Sequence, residues 1–239
     1  MKIGVFDSGV GGLNVLKELI KAYPNNEYIY YGDTKNVPYG NKSKDELFNL
    51  SMKIVRFFEE KAVDLIIIGC GTVSSNCYLD ICKNTKIKVL DIINPTINYI
   101  NTSNFKNIGV IGTTKTIESC IFQKLINKLV IAKDTPKFVP FIENDLIIEN
   151  KNEVISDLEL FKNKVDCLIL GCTHYPLLSD IISEYLNINL INMGECLVNS
   201  LSLTNNSTSK ITLYFSLLND NIISNIHKII PFDKEIIEL

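Results

Sequence analysis

Cys70 and Cys172 each close an apolar run, LIIIGC at 65–70 and CLILGC at 167–172, with Thr72 two residues after the first and Thr173 directly after the second. A free thiol titrates near pH 8.5, so one cysteine can serve as acid and another as base only if their surroundings hold them in opposite protonation states. Both stand where a strand gives way to a helix, and a helix N-terminus should lower the thiol pKa and supply thiolate. A thiolate on one face of a stereocentre removes a proton while a thiol on the other face delivers one, and the carbon inverts. His174 lies two residues beyond Cys172. With Asp7 and Glu143 it is a candidate for polarising the thiols or holding an ammonium group. Thr72, Thr113, Thr116 and Thr173 offer hydroxyls and helix-terminal amides for carboxylates. In DSGVGG at 7–12, Asp7 and Ser8 stand at the tip of the first strand, beside glycines that let backbone amides approach an anion. The plainer role for Asp7 and Ser8 is to cap the helix starting near Gly12. His227, on an apolar tail helix, reads as structural.

The elements that carry these residues occur twice. Short β-branched runs alternate with amphipathic stretches, the pattern of βαβ units and parallel sheets. KIGVFDSGVGGLNVLKELI at 2–20 is answered by NIGVIGTTKTIESCIFQKLI at 107–126, and EYIYYGDTK at 27–35 by PKFVPFIEND at 136–145. VDLIIIGCGT at 63–72 is answered by VDCLILGCTH at 165–174, and IKVLDIINP at 87–95 by INLINMGEC at 188–196. The expected fold is therefore α/β: two pseudo-symmetric domains, each a four-stranded-type parallel sheet flanked by helices. Residues 98–207 form the second domain; residues 1–97 form the first, with the tail 208–239 crossing back to complete it beyond the polar stretch TNNSTSK. Open parallel sheets bind ligands at the carboxyl ends of their strands, which places both Gly-Cys ends at one cleft.

Composition narrows the partners. The 239 residues are 46% hydrophobic and 21% charged, with a formal net charge of -3, which suits a globular chain without a basic face for nucleic acid. Apolar runs are too short to span a bilayer, and the N-terminus lacks a signal-peptide pattern, so a cytoplasmic location is expected. Seven cysteines, an odd count without any CxxC pair, argue for free thiols over disulfides and against a zinc site. DSGVGG lacks both the GxGxxG spacing and the GK[ST] of a P-loop, which argues against a nucleotide. The polar loop residues fit a small, charged, amino-acid-like partner. The oligomeric state stays open, with a homodimer among the options.

The segments IGVFDSGVGGLNVLKEL, YGDTKNVPYGNKS, VPFIE and LGCTHYPLL resemble motifs of the cofactor-independent glutamate racemases of the aspartate/glutamate racemase superfamily, over nearly the whole chain. The resemblance implies that Cys70 and Cys172 are the catalytic acid/bases, with Asp7, Glu143 and His174 as helpers and no cofactor. It implies substrate contacts from Asp7, Ser8, Tyr39, Gly40, Gly71, Thr72, Thr173 and His174, and D-glutamate for peptidoglycan precursors as the product. One position departs from the pattern: where that family typically has Asn-Thr after the first cysteine, this chain has Gly71-Thr72. Losing such a side-chain amide costs roughly 1.5–3 kcal/mol unless water or Asn76 stands in. Racemisation of aspartate or a related acid, and ligand binding without turnover, are the alternative readings.

Overall fold

The computed structural model describes residues 1–203 and 209–239. Eight strands follow the doubled pattern: β1 (Lys2–Asp7), β2 (Glu27–Gly32), β3 (Leu65–Ile68) and β4 (Lys88–Asp91), then β5 (Asn107–Gly112), β6 (Leu129–Asp134), β7 (Cys167–Leu170) and β8 (Asn189–Asn192). β9 (Lys210–Phe215) and β10 (Glu235–Glu238) come from the tail. The first sheet runs β10-β9-β2-β1-β3-β4 and the second β6-β5-β7-β8, with every pairing parallel. The α/β class with two helix-flanked parallel sheets is thus as expected, and the strand order 2-1-3-4 recurs as 6-5-7-8.

The repeat extends to single hydrogen bonds. Asp64 N donates to Lys2 O at 2.8 Å and Asp166 N to Asn107 O at 2.7 Å. At the opposite ends, Gly69 N donates to Phe6 O at 2.7 Å and Gly171 N to Ile111 O at 2.8 Å. The residues before Cys70 and Cys172 are therefore fixed to their sheets in the same way.

The central strands are buried on both faces, as parallel sheets require; every residue of Leu65–Ile68 and Cys167–Leu170 is buried. In the first half, α1 (Leu13–Ala22), α2 (Lys44–Glu60), α3 (Gly71–Lys83) and α4 (Ile93–Thr102) follow the strands in turn. A Ser43/Glu46 capping box starts α2, satisfying two otherwise orphaned amides. The segment between the two copies is mostly α4 itself. The second half carries α5 (Thr114–Glu118), α6 (Ile121–Leu125), α7 (Phe138–Glu143), α8 (Lys151–Leu158), α9 (Ser179–Leu186) and α10 (Met193–Ser200), and the tail adds α11 (Asp220–Ile229). One apolar cluster runs from Ile3 and Ile67 of the first sheet through Leu13 and Leu16 of α1, Ile97 of α4 and Leu197 of α10 to Val110 and Ile169 of the second.

One expected strand is a helix. PKFVPFIEND at 136–145 contains α7, and the strand answering β2 is LVIAKD at 129–134. Phe138 and Ile142, four apart, bury one face of α7. Pro140 is its third residue, where an amide has no helical partner to lose. In the tail, β9 pairs with β2 with Glu27 opposite Lys210, and β10 adds beyond it. The junction expected at 207/208 and most of TNNSTSK lie outside the described residues.

Candidate active site

The carboxyl ends of both sheets open on one cavity of about 120 Å³, lined by residues of both halves including Cys70 and Cys172. Larger hollows elsewhere on the surface, of about 540 and 820 Å³, contain neither cysteine nor histidine. Cys70 follows β3 through Gly69 and is the N-cap residue of α3. Cys172 follows β7 through Gly171 and precedes a 3-10 turn at Tyr175–Leu178, with α9 beginning only at Ser179. The two cysteines are equivalent in their sheets but not in the helices that follow them.

Cys172 has the richer partner set. Its Sγ lies 3.6 Å from His174 Nδ1, and His174 Nε2 lies 3.0 Å from Glu143 Oε1. Burial of His174 disfavours its cation, yet hydrogen bonds and charge from Cys172 and Glu143 outweigh burial and hold the imidazole well above its ordinary range. Glu143 ends α7, and its backbone carbonyl accepts from Asn221 Nδ2 of α11.

Cys70 is held differently. Its thiol donates to Ser8 Oγ at 3.8 Å. Burial first, then the charge of Asp7, pushes it up to about 12. The expected lowering by the helix N-terminus is therefore reversed: the amide of Val73 does favour the thiolate, but desolvation is the larger effect. Asp7 is buried at the end of β1, accepting from Gly9 N at 2.8 Å on Oδ1 and from Thr173 Oγ1 at 3.1 Å on Oδ2. Burial raises its carboxyl, against the opposing pull of His174 and of those two donors. Asp7 and Ser8 do not cap α1, which has Gly12 at its N-cap and no side-chain cap. Nor do all the loop glycines serve an anion. A Cβ on Gly11 would stand 2.4 Å from His174 Nδ1, so the bare backbone lets the first half close on the histidine of the second.

The threonines form a hydroxyl chain across the cleft. Thr72 Oγ1 is 2.9 Å from Thr113 Oγ1, which is 2.9 Å from Thr116 Oγ1. Thr72, Thr113 and Thr173 line the cavity, whereas Thr116 stands behind Thr113. Ser8, Tyr39, Gly40 and Gly71 also line it. The Tyr39 hydroxyl turns away and donates to Asp33 Oδ2 at 2.6 Å, so Tyr39 contributes wall, not hydroxyl. Asn76 is not free to replace the missing amide at 71: its Nδ2 is shared among Thr72 O, Ser75 Oγ and Lys115 O. His227 is exposed in the last turn of α11.

Several contributors were not singled out in the sequence, although Asn14, Pro38 and Val139 lie inside the motif segments quoted above. Pro38, Thr114 and Val139 line the cavity. Asn14 of α1 donates to Thr173 O at 2.8 Å, fixing the backbone beside Cys172. Among the described residues, no group of three or more His, Cys, Asp and Glu side chains is arranged to hold a metal ion, and no helix is long and apolar enough to cross a membrane.

The model of the Asp/Glu/Hydantoin racemase family matches residues 7–201. A glutamate racemase of Aquifex aeolicus is 38% identical over 231 residues, covering 93% of this chain and 91% of that protein. Among solved structures, the glutamate racemase isoform RacE1 of Bacillus anthracis superposes with a TM-score of 0.92 at 27% identity, covering 99% of this chain and 96% of that one. Glutamate racemase from Francisella tularensis in complex with D-glutamate superposes at 0.88 with 29% identity, covering 100% and 96%. With the family model spanning most of its length and paired cysteines at the cleft between its sheets, the chain belongs to the Asp/Glu/Hydantoin racemase family.

Proposed function

We propose that this chain interconverts L- and D-glutamate without a cofactor, using Cys70 and Cys172 as the two acid/base groups. The observation that carries the reading is that both thiols line one small cavity from equivalent positions on opposite sheets. Glutamate racemases similar to it, one in complex with D-glutamate, support glutamate as the substrate.

In the resting site Cys70 keeps its proton and Cys172 faces the His174 cation. Cys172, as thiolate, takes the Cα proton of the enantiomer that presents it; the electron pair delocalises into the α-carboxylate, and the Cys70 thiol protonates the opposite face. Cys172 is then protonated and Cys70 ionised. The reverse reaction, or proton exchange with water, restores the starting state. Thr72, at the end of the Thr116–Thr113–Thr72 hydroxyl chain, supplies a donor for a substrate carboxylate, and burial of the site strengthens the contact. Burial, reinforced by Asp7, which Thr173 holds in place, keeps the Cys70 thiol protonated. The physiological role that fits is supply of D-glutamate to peptidoglycan precursors in the cytoplasm.

The test is Cα proton exchange in heavy water with each glutamate enantiomer, followed by mass spectrometry and circular dichroism, with aspartate run in parallel. Wild-type protein should exchange and invert glutamate, while Cys70→Ala and Cys172→Ala each lose racemisation by at least about a thousandfold. Full racemisation by either variant would falsify the two-thiol mechanism. Faster turnover of aspartate would reassign the substrate, and absence of any exchange would leave a binding protein.

A further inference from the structure

Gly71 is where this chain departs from the family pattern, and nothing in the proton transfer employs it. It is buried and is the first residue of α3, directly after Cys70. A Cβ at this position would stand 2.6 Å from the carbonyl oxygen of Gly171, the residue directly before Cys172. Carbon–oxygen contacts normally settle at about 3.3–3.6 Å, so something would have to move. Neither side yields easily. Gly171 is held to its sheet through Gly171 N and Ile111 O at 2.8 Å, and a Cβ on Gly171 would itself meet Ile111 O at 2.5 Å. Across the gap, Ser74 N donates to Cys70 O at 2.9 Å, closing the first turn of α3. The contact belongs to a row that joins the halves: Thr72 with Thr113 at 2.9 Å, Asn76 Nδ2 with Lys115 O at 3.3 Å, and Thr173 with Asp7 at 3.1 Å.

We infer that Gly71 is a positioning residue that sets the separation of the two cysteine-bearing strand ends. Its bare backbone lets the Cys70 and Cys172 segments meet main chain to main chain, and any side chain at 71 wedges the cleft open. The missing amide is then offset by closer approach, and restoring an asparagine harms the site, because Asn brings the same Cβ. The kinetic consequence rests on the racemase reading; the steric one does not.

The test compares wild type, Gly71→Ala and Gly71→Asn by two readouts. The first is the alkylation rate of Cys70 and Cys172 by iodoacetamide in substrate-free protein, mapped by peptide mass spectrometry with the partly exposed Cys120 as reference. Opening the cleft should raise both rates together, by about fivefold or more, and leave Cys120 unchanged. The second is steady-state racemisation: kcat/KM for glutamate should fall about tenfold in both variants, mainly through kcat, equivalent to about 1.4 kcal/mol. Unchanged alkylation, or a Gly71→Asn variant equal to or faster than wild type, overturns the inference. Loss of folding by both variants also counts against it, since a wedge at the cleft leaves each sheet intact. Faster alkylation of the variants alongside an inactive wild type overturns the racemase reading and leaves the spacing role standing.

Discussion

His174 is held between Cys172 Sγ at 3.6 Å and Glu143 Oε1 at 3.0 Å, so both neighbours bear on its protonation. The neighbouring charges raise the imidazole; removing the carboxylate removes part of that support and lowers it. If catalysis uses the imidazolium, activity persists only up to the pH at which His174 deprotonates. Glu143→Gln should therefore move the alkaline limb of kcat/KM to lower pH and leave the protein folded, as pH-rate profiles on both enantiomers would read. A limb that stays in place would show that Glu143 only anchors α7. Single residues at strand ends were legible because the repeat aligned them: VDLIIIGC and VDCLILGC place Cys70 and Cys172 without any structure. The Cys70 protonation state was not legible, since it depends on burial and on Asp7, more than sixty residues away.

At the scale of elements, the tail reaches the site without lining it. Ser216, directly after β9, donates to Asp33 Oδ1 at 2.8 Å, and the buried Asp33 carboxylate also accepts from Tyr39 and from Asn36. Lys35 N in turn donates to Ser216 Oγ at 2.9 Å. The cavity wall at 37–41 is thus fixed from β9 through one carboxylate. Ser216→Ala leaves that carboxylate short of a donor and should cost about 1–3 kcal/mol in urea unfolding. It should also raise KM more than it lowers kcat; a change in stability with KM unaltered would separate the tail from binding. No sequence pattern announced this link, because Asp33 and Ser216 meet only once β9 is registered against β2. The β6 region failed for a related reason. LVIAKD is only half buried, so the strand signal was weak there, and the apolar residues of KFVPFIE drew attention to what is a helix.

At the scale of the molecule, one apolar cluster is shared by the two sheets while each half keeps a further cluster of its own, and the cleft inherits its geometry from the shared one. Leu16 of α1 is fully buried in the cluster that also contains Ile67 of β3, Leu197 of α10 and Val110 of β5. Its loss would therefore be felt by both sheets. Leu16→Ala should lower stability by about 2–5 kcal/mol, the usual cost of a buried leucine truncated to alanine. A continuous core further predicts one cooperative transition, with peptides from β1–β3 and from β5–β7 losing hydrogen-exchange protection at the same urea concentration. If instead the variant releases one sheet before the other, the sheets fold independently and the cleft must be set by the contacts across it: Thr72 with Thr113, Asp7 with Thr173, and Gly71 against Gly171. A single transition would mean that α1, α4 and α10 set the relative position of the sheets, within which the contacts across the cleft set the separation of the two cysteine-bearing strand ends.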